Sequence, residues 1–96
     1  MNLLKIIMVK KMRNKYVPTG VCSSLIEYEI DDNGVIKYLK VTDGCNGNLQ
    51  GISKLCIGRN IDEVINDLNG IRCRNKPTSC PDQIAKAFIE YKLNNK

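Results

Sequence analysis

The sequence predicts an α+β domain: a small antiparallel sheet, made of a hairpin and an edge strand, packed against about three helices. Three observations carry that prediction. Leu25 to Ile30 alternates, with Ile26, Tyr28 and Ile30 on one face and Glu27 and Glu29 on the other, which is the period of a half-buried strand. Asp31-Asp32-Asn33-Gly34 follows, and Asn-Gly readily takes the positive φ angles of a type I′ hairpin turn. Beyond Asn48 the apolar residues recur at helical spacing instead.

In chain order, Tyr16 to Val21 reads as a short extended segment, and Pro18 confines it to an edge or an entry. Leu25–Ile30 and Val35–Val41 are the hairpin strands. Thr42 to Asn48 ends the hairpin in a loop where Gly44 and Gly47 let the backbone bend around Cys45. Asn48 caps a helix to about Ile57, with Leu49, Ile52, Leu55 and Cys56 on its apolar stripe and Gly58 as its stop. Cys56 therefore belongs to the core. Asn60 and Glu63 have capping-box spacing at the start of a second helix, whose buried stripe is Ile61, Val64, Ile65 and Leu68 and whose end is Gly70. The last helix starts at Pro81, a residue suited to the first helical position, with Cys80 as its cap, and runs to about Leu93. Ile84, Phe88 and Tyr91 form its ridge.

Charge is unevenly placed along the chain. Of the net charge of +5, all resides in Lys5, Lys10, Lys11, Arg13 and Lys15; the ten remaining Lys and Arg equal the ten Asp and Glu. Residues 1–15 thus read as a basic N-terminal extension and residues 16–96 as a neutral domain. A neutral body lacks the broad basic face of a nucleic-acid-binding domain. Ile6-Ile7-Met8-Val9 is hemmed in by Lys5 and Lys10, too short for the roughly 7–15 apolar residues of a secretory signal, and no run approaches a membrane span. The expected compartment is the cytoplasm, with no membrane partner. There, five cysteines fit metal ligands, redox groups or core filling better than a disulfide framework.

The chain has no histidine, which removes the commonest general base and the imidazole ligands together. Gly44, Gly47 and Gly51 do not form a phosphate-binding pattern. Asp31, Asp32 and Asp43 flank the hairpin and read as turn residues. What remains is Cys22, Cys45, Cys73 and Cys80. Cys22 precedes one hairpin strand and Cys45 follows the other, so the two should be neighbours. Cys73 lies in the loop that ends at Cys80, where unpaired N–H groups and the helix dipole favour a thiolate. Arg72, Arg74 and Lys76 beside Cys73 act in the same sense. Two pairs suit a tetrahedral metal-thiolate site; a redox pair and inert thiols are the other readings of the same residues.

Thr78-Ser79-Cys80-Pro81-Asp82, with Gly20-Val21-Cys22-Ser23, Asp43-Gly44-Cys45-Asn46-Gly47-Asn48 and Gly70-Ile71-Arg72-Cys73, resembles the four-cysteine TSCPD-domain proteins from Tyr16 to about Tyr91. That domain also occurs at the carboxyl end of adenosylcobalamin-dependent ribonucleotide reductases, and free-standing versions are commonly labelled reductase-related. The resemblance implies a zinc site at Cys22, Cys45, Cys73 and Cys80 and a role accessory to ribonucleotide reductase and deoxynucleotide synthesis. Ribonucleotide reductase, or a thiol or iron-sulfur protein, is the partner so implied, with nucleotide as a further ligand, and a complete enzyme is not expected of so small a chain. A fainter similarity runs to the U-type iron-sulfur cluster scaffolds, whose three cysteine ligands match Cys22, Cys45 and Cys80. Ser79 stands where those have histidine, Ser24 where they have a carboxylate, and Cys73 is additional. An iron-sulfur scaffold or carrier is thus the alternative, and a dithiol donor using Cys73 and Cys80 is the third reading.

Overall fold

The computed structural model describes residues 13–44, 46–73 and 75–94, and within them the fold is α+β. Its elements are β1 (Asn14–Tyr16), β2 (Leu25–Ile30), β3 (Ile36–Thr42), α1 (Asn46–Cys56), α2 (Ile61–Leu68) and α3 (Cys80–Asn94). The strands form an antiparallel sheet in the order β1-β2-β3. Tyr16 pairs with Ile26, and Leu25 pairs with Thr42 at the far end of the hairpin. The register shifts between Glu29 and Ile30, which leaves Lys37 as an extra residue in β3.

The alternation in β2 sets the core. Ile26, Tyr28 and Ile30 are buried and meet Ile36 and Leu39 of β3, Cys56 of α1, Ile61 and Val64 of α2, and Ile84, Ala87 and Phe88 of α3. Tyr28 stands edge-on to Phe88 at 5.2 Å between ring centroids and to Tyr91 at 6.0 Å. Its hydroxyl donates to the Ala87 carbonyl at 3.2 Å, so the polar tip of a buried ring is satisfied on a helix backbone. Burial pushes the Tyr28 pKa well above its ordinary value.

Several elements depart from the sequence expectation. The edge strand is Asn14–Tyr16 and not Tyr16–Val21. Pro18 has no N–H to give a ladder, and Gly20 turns the chain with φ +71°. Arg13 is part of this edge: its guanidinium pairs with Glu29 at 2.5 Å and lies 4.1 Å over the Tyr38 ring. The hairpin turn is not type I′, because Asn33 keeps a negative φ and only Gly34 is positive, at +80°. The Asp31 carboxylate takes over the turn by accepting from the Asn33 and Val35 N–H groups, each at 2.9 Å. Those bonds hold its pKa below the ordinary carboxylate value, chiefly through Val35.

Helix α1 begins at Asn46, ahead of the expected cap Asn48. Its inward face is Leu49, Ser53 and Cys56, and Leu55 is 73% exposed. Leu55 lies six positions beyond Leu49, which on a 3.6-residue helix points it away from the buried stripe. The cap of α2 is Asn60, whose side chain accepts from the Asp62 N–H at 2.9 Å. Glu63 does not close a capping box; it pairs with Arg59 at 3.6 Å. At α3 the cap is Ser79 and not Cys80, since Ser79 Oγ accepts from the Asp82 N–H at 3.1 Å. Cys80 is the first helical residue and Pro81 the second.

These assignments separate by mutation. Phe88→Ala removes a fully buried ring and is expected to cost about 4 kcal/mol in urea unfolding, whereas Leu55→Ser is expected to change stability by under about 0.5 kcal/mol. A large loss in the Leu55 variant would restore it to the core.

Candidate functional site

The site is built around the start of α3. Thr78 Oγ1 donates to Asp82 Oδ2 at 2.5 Å and accepts from Gln83 Nε2 at 2.9 Å. Ser79 Oγ, besides capping the helix, donates to the Ile71 carbonyl at 2.6 Å. Asp82 Oδ1 accepts from the Gly70 N–H at 2.6 Å and faces the Lys86 ammonium at 3.5 Å. Gln83 Oε1 accepts from the Thr19 N–H at 3.1 Å and the Tyr16 hydroxyl at 3.4 Å. Four polar side chains are thereby committed to holding α3 against the 70–71 and 16–19 segments. The thiol between them is not committed in that way.

Cys80 is half-buried, and its Sγ lies 3.4 Å from Ser23 Oγ. Cys73 is brought back toward it by a tight turn: its N–H donates to the Thr78 carbonyl at 3.2 Å and its carbonyl accepts from the Lys76 N–H at 3.0 Å. Cys73 and Cys80 line one cavity of about 340 Å³, together with Asn48, Leu49, Ile52, Ser79 and Pro81. That volume falls at the small end of ligand pockets, roughly 300–1,000 Å³.

The hairpin end approaches the same place. Gly20 packs so closely on Thr78 that a Cβ would stand 3.2 Å from Thr78 Cγ2. Gly44, with φ +91°, sits against Leu49 and Ser23: a Cβ there would meet Leu49 Cδ1 at 2.9 Å and the Ser23 nitrogen at 3.5 Å. Ser24 fixes the strand ends by donating its N–H to the Thr42 carbonyl at 2.9 Å and its hydroxyl to Asp43 at 2.6 Å. Cys22 is exposed and is not among the residues lining the cavity. Cys45 and Arg74 lie outside the described residues; Arg72 and Lys76 are exposed. Among the described residues, no group of three or more Cys, Asp or Glu side chains is close enough to hold a metal ion. The structure therefore places Cys73 and Cys80 on one cavity; Ser23, next to Cys22, touches Cys80, and Gly44, before Cys45, packs on Ser23 and on Leu49 of the cavity lining.

Cys56 is 3% exposed on the inward face of α1, and burial pushes its thiol pKa up. It is a core residue, as its helical spacing indicated. Residue patterns gave no role to Ser23, and they placed Asp82 and Gln83 in a first turn without burying them. Asp82 and Gln83 are 3% and 5% exposed. The available signal was the density of polar residues at a helix start, Thr78, Ser79, Asp82 and Gln83, where orphan N–H groups need acceptors.

Against protein-family models, residues 6–92 match the TSCPD domain. The chain belongs to the TSCPD-domain family. No curated protein and no solved structure matches it. The polar side chains of the motif that gives the family its name act here as a structural lock, and its cysteine opens on the cavity. No helix among the described residues is long and apolar enough to cross a membrane.

The lock has a pH signature. Burial alone would raise the Asp82 pKa, but the bonds from Thr78 and Gly70 and the Lys86 ammonium outweigh it and hold the carboxyl below its ordinary value. A carboxyl depressed in the folded state contributes stability that is complete above its unfolded pKa, about 4, and is lost as pH falls through the lower folded value. Asp82→Asn is expected to cost about 2 kcal/mol at pH 7 and to flatten the decline in stability below about pH 4. Urea unfolding from pH 7 to 2 checks both; an unchanged acid profile would show that Asp82 is not the group responsible.

Proposed function

We propose that this chain is a small metal-binding domain in which Cys22, Cys45, Cys73 and Cys80 hold one zinc ion, and that it is accessory to ribonucleotide reductase and deoxynucleotide synthesis. One observation supports the metal reading: Cys73 and Cys80 share a cavity, and two of its lining residues, Cys80 and Leu49, are touched by Ser23 and Gly44, the chain neighbours of the other two cysteines. The donor types suit the ion, and among the described residues Cys73 and Cys80 are the two of them that share the cavity. Four thiolates in a chain without histidine make a soft sulfur set of the kind that selects zinc over hard cations. Bound there, zinc would supply a cross-link between the hairpin end and the start of α3, and part of its binding free energy would be folding free energy. The link to the reductase is supported by membership of the TSCPD family, whose domain also accompanies such enzymes.

The shared cavity of Cys73 and Cys80 also favours a second reading, a dithiol electron donor in which those two cysteines alone cycle with a disulfide. Metal content and melting temperature of the single serine variants separate the two. A closed site is expected to lose its metal in Cys22→Ser, Cys45→Ser, Cys73→Ser and Cys80→Ser alike, and to keep it in Cys56→Ala, which should cost only about 1 kcal/mol of stability. A metal-free wild type whose Cys73 and Cys80 form a reversible disulfide would establish the donor instead. Metal retained in Cys73→Ser alone, with visible absorbance, would point to a three-cysteine iron-sulfur site, because a d¹⁰ zinc ion is colourless.

A further inference from the structure

Between β3 and α1 the fold leaves a cleft of about 270 Å³. Leu39 and Val41 of β3, Leu49 of α1 and Ile57 just beyond it give the cleft aliphatic walls. Of these residues only Leu49 also lines the cysteine cavity, so the cleft is a separate place on the molecule.

Two features set it apart from an ordinary surface depression. Ser53 lines it and is only 8% exposed, yet among the described residues its hydroxyl has no hydrogen-bond partner. No enclosed polar side-chain atom among those residues lacks a partner, so the Ser53 oxygen is not sealed in and opens on the cleft. Packing alone does not ask for a hydroxyl there, because alanine would serve the helix face and leave no polar group to satisfy. The second feature is charge. Lys40 and Lys54 also line the cleft. Arg13, Lys37, Arg59, Lys86 and Lys92 each have a carboxylate partner, whereas Lys40 and Lys54 have none among the described residues. Glu27 stands opposite Lys40 in the strand register and still makes no ion pair with it. Lys54 lies in the last turn of α1, where it complements the negative end of the helix dipole, but that end carries roughly half a charge against two ammonium groups.

We propose that the cleft between β3 and α1 binds a small aliphatic carboxylate, which accepts from the Ser53 hydroxyl, faces the ammonium groups of Lys40 and Lys54, and lays its chain on the aliphatic walls. Apolar walls with a few convergent polar groups are the usual make-up of a ligand site. The volume lies just under the roughly 300 Å³ at which such sites begin, which restricts the occupant to a short chain. A bare inorganic anion would leave the walls wet, and a neutral alcohol would leave both ammonium groups unpaired.

The experiment titrates hexanoate into the full chain at neutral pH and follows the backbone amide resonances. Saturable shifts are expected at Leu39 to Val41 and at Ser53 to Ile57, with acetate, inorganic phosphate and hexanol each binding on the order of tenfold more weakly. Replacing the lysine pair together, Lys40→Gln with Lys54→Gln, is expected to weaken hexanoate binding about tenfold. Ser53→Ala is expected to weaken it severalfold at an unchanged melting temperature, which would assign the hydroxyl to the ligand and not to the fold. Lys15→Gln, which removes an exposed cation from β1, leaves binding unchanged. Hexanol, acetate or phosphate binding as tightly as hexanoate overturns the proposal, as does a loss in Lys15→Gln equal to that of the lysine pair. Wild type alone can also overturn it, by showing no saturable shifts at these positions at millimolar hexanoate.

Discussion

A single buried carboxylate organises the molecule. Asp82 sits in the first turn of α3, where it accepts from the Gly70 backbone and the Thr78 hydroxyl, and its own N–H is capped by Ser79. A carboxylate so far removed from water would be costly without such partners; with them it ties the end of the second helical segment to the start of the third. Gln83 extends the tie to the chain entering the sheet, through Thr19 and Tyr16. The thiol of Cys80 inherits its place from this network, since the residues on both sides of it are fixed by side-chain bonds that do not involve sulfur.

Much of the fold was legible because period and burial agree. The alternation of β2 put Ile26, Tyr28 and Ile30 inside, where they are, and the stripe of α2 gave Ile61 and Val64. Failures came where two local signals competed. Asn33-Gly34 called for a type I′ turn, but Asp31, two and four residues ahead of the N–H groups it accepts, supplied a stronger side-chain turn. Pro81 drew the helix start one residue too late because a preference for the first helical position says nothing of the adjacent Ser79 hydroxyl, which is the better cap. Leu55 is apolar, but six positions beyond Leu49 it turns away from the buried stripe.

At the site, the sequence singled out Cys73 and Cys80 and not the residues packed around them. Cys73 and Cys80 are near one another in the chain, so their meeting is a local property of one loop. Ser23 reaches Cys80 only through the tertiary fold, and no spacing rule connects them. The closeness of Gly44 to Leu49 and Ser23 is equally non-local: glycine in a loop signals a bend, but here it also signals that no side chain could occupy the space.

The short β1 and the extra residue Lys37 in β3 bear on how the molecule behaves among its own copies. An open sheet offers its outer strands as templates for further pairing, and long, flat, apolar edges aggregate. Here one edge is three residues long and carries the stacked Arg13. The other is bent at Lys37, exposes Lys37 and Lys40, and has its first residues already bonded to the chain between α1 and α2. Among the described residues neither edge presents a long straight ladder, so neither is a ready template for pairing between copies of the chain.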